Sequence, residues 1–161
     1  MSAASNYLED KLLDHVLRYS TAPYTAPSTV YVALFSGTQT GTIDAGSGIG
    51  TALESGTSAT GTGAGNWGHY EINNASYARQ EASFASAATG SIATSGTVTF
   101  PVATNDYDSA GATGETVTYL AIMDELTAGN VLWFGALTNA KTVNSGDQFT
   151  ISTANLSVSL A

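Results

Sequence analysis

At 161 residues the chain has the length of one domain, since domains centre on roughly 100–150 residues, and it is long enough to bury a sizeable core. Ala (25), Thr (23), Ser (18) and Gly (17) fill 83 positions, only 11% of residues are charged, and thirteen acids against four bases (Lys11, Arg18, Arg79, Lys141) leave a net charge of −9. Four scattered bases cannot neutralise the ~6–10 phosphates of a duplex contact, zero cysteines exclude disulfides and thiolate metal sites, and no apolar run approaches the roughly 18 residues of a membrane helix.

Nucleic-acid partners are therefore not expected, and neither is a membrane span. No secretion signal is expected of an N-terminus without a basic-then-apolar pattern. A mix rich in small residues and poor in charge suits close packing against copies of the same chain or a partner.

The chain opens on its one good helix pattern. Asn6, with Glu9 three residues on, makes a capping-box-like start, and Leu8, Leu12, Leu13, Val16 and Leu17 recur at helical spacing. Asp14 precedes Arg18 by four residues, a weakly favourable pair. Pro23 and Pro27 end the pattern. The spacing predicts a helix over 6–19 that packs over one side or end of a β core.

After Pro27 the run 29–35, TVYVALF, has neither charge nor turn residue. Apolar on both faces, it reads as a central buried strand. Residues 36–66 then hold nine glycines, eleven Ser or Thr and only two charges, Asp44 and Glu54, which predicts a long loop that orders, if at all, on contact with a partner. Strands follow at 77–84, at 96–100 (closed by Pro101), and at 116–123, 131–137, 148–152 and 156–160. A polar loop occupies 105–114, and turn chemistry marks 127–130 and 144–147. In the last strand Leu156, Val158 and Leu160 alternate with Ser157 and Ser159, the pattern of a sheet with one wet face. One helix followed by six or seven short strands predicts a mainly β chain: a single antiparallel β-sandwich domain over 1–161, with one N-terminal helix and the 36–66 loop.

No catalytic constellation assembles from these residues. His15 sits on the polar side of the helix. His69, between Trp67 and Tyr70, reads as a packing or interface residue. No G-x-S-x-G elbow occurs, and Gly63, Gly65 and Gly68 spell a dinucleotide-like motif with no helix after it to face a pyrophosphate. Asp106 and Asp108 alternate like early calcium ligands, but Ala110 and Val117 stand where further ligands are needed. Asp124 and Glu125 end a strand and read as turn caps. The chain is thus expected to be no enzyme, with no metal and no cofactor.

Interface candidates remain: Trp67, His69, Tyr70, Arg79, Trp133 and Phe134. Arg79, mid-strand and far from any other base, either pairs across the sheet with Glu71 or Glu81 or faces a partner. Trp133 and Phe134 adjoin on one strand, so they point to opposite faces.

Several segments carry a resemblance. The opening NYLEDKLLDHVL from Asn6 is followed by Pro23, Pro27 and VYVALF from Val30. Later come YARQ from Tyr77, VTFP from Val98, NVL from Asn130, GALT from Gly135 and KTVNSGD from Lys141. Together they resemble a family of small bacteriophage virion proteins, often described as tail-fibre or structural proteins. The resemblance keeps its order over nearly the whole chain, departs from it in the long 36–66 loop, and brings no active site. It implies a virion structural protein whose partners are other virion proteins and copies of itself. The first expectation is a capsid decoration (cement) protein on the outside of the head, with the major capsid protein as partner. The second is a tail or tail-fibre component touching the host. The third is a glycan-binding or glycan-acting protein of host recognition.

Overall fold

The apolar runs become nine strands and one helix among the residues that the computed structural model describes, which are 2–18, 24–36, 71–72, 75–107 and 116–159. In chain order these are β1 (Ser2–Ala4), α1 (Asn6–Leu17), β2 (Val30–Ser36), β3 (Gln80–Ala82), β4 (Ser91–Ala93), β5 (Val98–Val102), β6 (Thr116–Met123), β7 (Val131–Thr142), β8 (Gln148–Ile151) and β9 (Ser157–Ser159). Five form one sheet in the order β1-β7-β6-β2-β3, and two smaller sheets pair β4 with β9 and β5 with β8. Every pairing is antiparallel. The mainly β, antiparallel class with one N-terminal helix is the class the sequence predicts.

β2 shows why the run at 29–35 carries no polar face. Val32 and Leu34 stand opposite Ile122 and Leu120 on one face of the sheet, while Ala33 and Phe35 stand opposite Ala121 and Tyr119 on the other. All four β2 residues are fully buried. On the first face Val32, Leu34 and Ile122 share a core with Val98, Phe100, Phe149, Ile151, Leu156 and Val158 of the small sheets and their flanks. The layer facing this side of the sheet is therefore made of two pairs of strands, β4 with β9 and β5 with β8. On the other face Ala33, Phe35, Ala121, Met123 and Val131 form a separate cluster. Burying a side chain of the size of Phe35 or Leu34 is worth about 1.5–3 kcal/mol, so β2, apolar toward both clusters, joins them energetically.

The helix differs from its prediction in three ways. It spans Asn6–Leu17, and its N-cap is Ser5: the Ser5 hydroxyl accepts from Leu8 N (3.3 Å) and donates to the Val131 carbonyl. Ser5 takes the cap because β1 has already fixed its extended backbone beside β7, where Ser5 N also donates to Leu132 O (2.9 Å). The apolar arc is also broader than the contact. Leu8 is 2% exposed, whereas Leu13, Val16 and Leu17 are 57%, 72% and 77% exposed.

Strand boundaries shift as well. The stretch 77–84 narrows to β3, whose three residues pair with Val30–Val32 of β2. β5 continues through Pro101, where a register shift between Thr99 and Val102 removes the need for its missing N–H. β7 runs on to Thr142, with a register shift against Val117 and Tyr119 of β6. Two short strands, β1 and β4, have no counterpart in the sequence reading. β4 is entered by a tight turn in which Thr89 and Gly90 both have positive φ (50° and 75°), as the mirror-image hairpin turns require, and Thr-Gly is a weaker signal for that turn than Asn-Gly. Ser36 belongs to β2, and 37–66 lie outside the described residues.

Candidate functional site

Of the six interface candidates, Trp67, His69 and Tyr70 lie outside the described residues. The structure places the other three in two distinct settings.

Arg79 is buried and fully engaged within its own chain. Nε donates to Glu71 Oε1 (2.8 Å) and Nη2 to Glu71 Oε2 (2.7 Å), the parallel fork geometry that makes Arg–carboxylate pairs strong. Nη1 donates to the carbonyls of Glu125 (2.9 Å) and Ala128 (2.6 Å). Burial lowers the guanidinium pKa, but the hydrogen bonds and charge of Glu71 outweigh it and hold it above its ordinary value. Tyr77 completes the group: its hydroxyl donates to Glu71 Oε1 (3.0 Å) and accepts from Leu34 N (3.0 Å). Its ring stacks on Phe100 and meets Tyr107 edge-on. Burial first, and then the Glu71 charge, push the Tyr77 hydroxyl well above the usual value of 10.0.

The carbonyls that Arg79 grips belong to the turn joining β6 to β7. Asp124 closes that turn, accepting from Asn130 N (2.6 Å) and from Asn130 Nδ2 (2.7 Å), as a strand-ending cap should. Ala128 and Gly129 take positive φ (56° and 77°). A Cβ on Gly129 would run into Asp124 Oδ1 and come within 2.9 Å of Glu125 Cβ, so glycine is required by both conformation and space.

Trp133 and Phe134 do point to opposite faces. Trp133 packs on the core shared with the small sheets and Phe134 on the second cluster. Trp133 also lines a groove of about 240 Å³ with Leu120, Leu137 and Leu156, and its buried Nε1 has no hydrogen-bond partner among the described residues. His15 is exposed on α1, as expected. Asp106 accepts from Ser145 N (2.8 Å), while Asp108 lies outside the described residues.

A cleft that sequence reasoning missed borders the Arg79-held turn. It measures about 520 Å³ and is lined by Tyr7 of α1, by Tyr24 and Tyr31, and by Asp124, Glu125 and Leu126. Thr25, Ser28, Thr29 and Thr127 also line it. Its three tyrosines come from a helix, a connecting segment and a strand, and no motif spacing links them. Lys11 Nζ stands 5.8 Å from the centroid of the Tyr7 ring. Burial first raises the hydroxyl pKa of both Tyr7 and Tyr24, and the Asp124 charge adds to it.

No curated protein matches this chain. A family model does: that of the Podophage GP4 fiber I protein gp80, over residues 3–60 and 51–159. The two matched segments meet in the Gly-, Ser- and Thr-rich stretch and together take in α1 and all the strands that follow it. A mainly β chain with an N-terminal helix and buried polar clamps, matched over nearly its whole length, thus belongs to the podophage fiber I protein gp80 family, with a structural role in the virion.

Proposed function

We propose that this protein is a structural subunit of a fibre on the outside of the phage particle, most simply a tail fibre, and that it is not an enzyme. The family match over residues 3–159 is the observation that carries the reading. Composition supports an exterior position, because a net charge of −9 opposes contact with packaged DNA. The non-enzymatic reading is supported by what the polar groups are occupied with: Glu71, Arg79, Asp124 and Asn130 spend their hydrogen bonds on holding the fold. Partners are then other virion proteins and further copies of this chain.

Decoration of the head, the first expectation from the sequence, makes a different prediction for where the subunit sits. Gold-labelled antibody against the protein, imaged on intact particles, separates the two. Label at the tail end is expected. Label spread over the head shell would replace the fibre reading with the decoration reading. A particle made without the subunit should adsorb poorly to cells while keeping its DNA on heating; premature DNA loss with normal adsorption would again favour decoration.

A further inference from the structure

We propose that the tyrosine-lined cleft between α1, residues 24–31 and the turn after β6 docks an arginine side chain of another protein, whose guanidinium stacks on Tyr24 and Tyr31 and pairs with the Glu125 carboxylate. The cleft volume, about 520 Å³, falls within the roughly 300–1,000 Å³ of small-molecule sites. Asp124 and Glu125 line it and no base does, so a cation is the ligand it favours. The Asp124 charge reaches the tyrosines: burial is the first cause that raises the hydroxyl pKa of Tyr7 and Tyr24, and Asp124 adds to it in both. A field that resists a phenolate attracts a cation.

The lining also selects among cations. A metal ion is disfavoured, because Asp124 spends both carboxylate oxygens on Asn130 and no group of three His, Cys, Asp or Glu able to hold one occurs among the described residues. A quaternary ammonium suits aromatic rings but donates no hydrogen bond. The cleft offers acceptors: the Glu125 carboxylate and the hydroxyls of Tyr24 and Tyr31 have no partner among the described residues. A lysine ammonium donates, yet it is strongly hydrated, whereas a guanidinium sheds water more readily, stacks on aromatic faces and forks onto a carboxylate. Tyr7 is left out of the contact, since Lys11 Nζ already stands 5.8 Å from its ring centroid. The arginine comes from a different protein, because this chain's Arg79 is buried and its Arg18 is paired with Asp14 on the same helix (3.4 Å). Arg79 pins the turn that carries Glu125 through two carbonyls, one of them that of Glu125 itself. The acidic wall is thus set before the partner arrives, which lowers the ordering cost of binding.

The partner's being a protein rests on the proposed role as a virion subunit, but binding is measured in solution, so failure here and failure of the fibre reading are seen separately. The test is titration of the purified full chain, followed by NMR and calorimetry. The probes are the end-blocked tripeptide Gly-Arg-Gly, its counterpart Gly-Lys-Gly, choline and maltotriose. Saturable binding of the arginine peptide is expected, about fivefold tighter than that of the lysine peptide. Tyr24→Ala should weaken it roughly tenfold, and Glu125→Gln about fivefold. Added salt should weaken it in the native chain and less in Glu125→Gln. Asp10→Asn, which removes an exposed acid of α1 outside the cleft lining, should change it by no more than about twofold. Circular dichroism checks that each variant is folded. The proposal is overturned by no saturable binding of the arginine peptide, by binding that survives both cleft substitutions, or by equal or tighter binding of the lysine peptide, choline or maltotriose. Self-association of the chain that Arg18→Ala abolishes would also overturn it, by making a second copy the source of the arginine.

Discussion

Arg79 and Glu71 face each other as a fork on a fork, with N–O distances of 2.8 and 2.7 Å, and their side chains are only 5% and 14% exposed. Because the same guanidinium also holds two carbonyls of the turn after β6, the pair links the segment before β3 to the hairpin of β6 and β7. Removing the arginine strands a buried carboxylate and frees that turn. Arg79→Ala should therefore lower stability by about 3–5 kcal/mol, and Arg79→Lys should restore little, since an ammonium cannot reproduce the fork. Urea unfolding measures it, and a loss under about 1 kcal/mol, the worth of an exposed pair, would show that the pair behaves as if solvated.

Gly129 tests the turn from its other side. Its φ of 77° and the contact of a built Cβ with Asp124 Oδ1 mean that Gly129→Ala strains the backbone and displaces the carboxylate that caps Asn130. A loss of roughly 1–3 kcal/mol is expected. Gly146, equally positive in φ but with open space around it, should lose less on the same substitution, and the difference between the two isolates the steric part.

Tyr77 makes stability sensitive to alkali. Its hydroxyl ionises at the usual 10.0 in the unfolded chain but well above that in the fold, so the folded state holds the proton longer. The contribution is fully present below pH 10 and is lost as pH rises from 10 toward the folded value. Denaturation midpoints measured from pH 8 to 11 should fall steeply only above about pH 10. Tyr77→Phe should flatten that fall while lowering stability at pH 8, because Leu34 N loses its acceptor.

On α1 the two ends of the apolar arc should differ sharply in how much they contribute. Leu8→Ala opens a cavity in the core and should lose about 2–5 kcal/mol. Leu17→Ala, at 77% exposure, should change stability by no more than about 0.5 kcal/mol. Ser5→Ala removes both a cap and a buried donor to Val131, and a loss of about 1–2 kcal/mol is expected. Thermal or urea melts of the three variants give the ranking.

What the sequence made legible was whatever periodicity and turn chemistry encode locally. β6 falls on 116–123 as read, β2 is apolar on both faces because it is internal to the sheet, and Leu156 and Val158 are buried between exposed Ser157 and Ser159. What stayed hidden depends on distant chain. β1 is three small residues that become a strand only because β7 offers them an edge, and Ser5 outcompetes Asn6 as cap for the same reason. Helical spacing locates Leu13, Val16 and Leu17 correctly on one arc, but spacing does not say how much of an arc a neighbour will cover. Arg79 could be narrowed to Glu71, Glu81 or a partner, and burial decided for Glu71. The cleft was invisible because its three tyrosines come from separate elements.

The pairing of β1 with β7 also sets the order of events at the ribosome. Ser2, Ala3 and Ala4 find their partners in Gly135, Phe134 and Trp133, far later in the sequence. At about 5–20 residues per second the N-terminal strand waits on the order of ten seconds for those partners to be made. Through that interval α1 has no sheet on which to lay Leu8, and a helix of its length is marginal alone. β1, made before β7, is thus seated only after it, and this edge of the sheet closes late, by a long-range contact of the kind that slows folding.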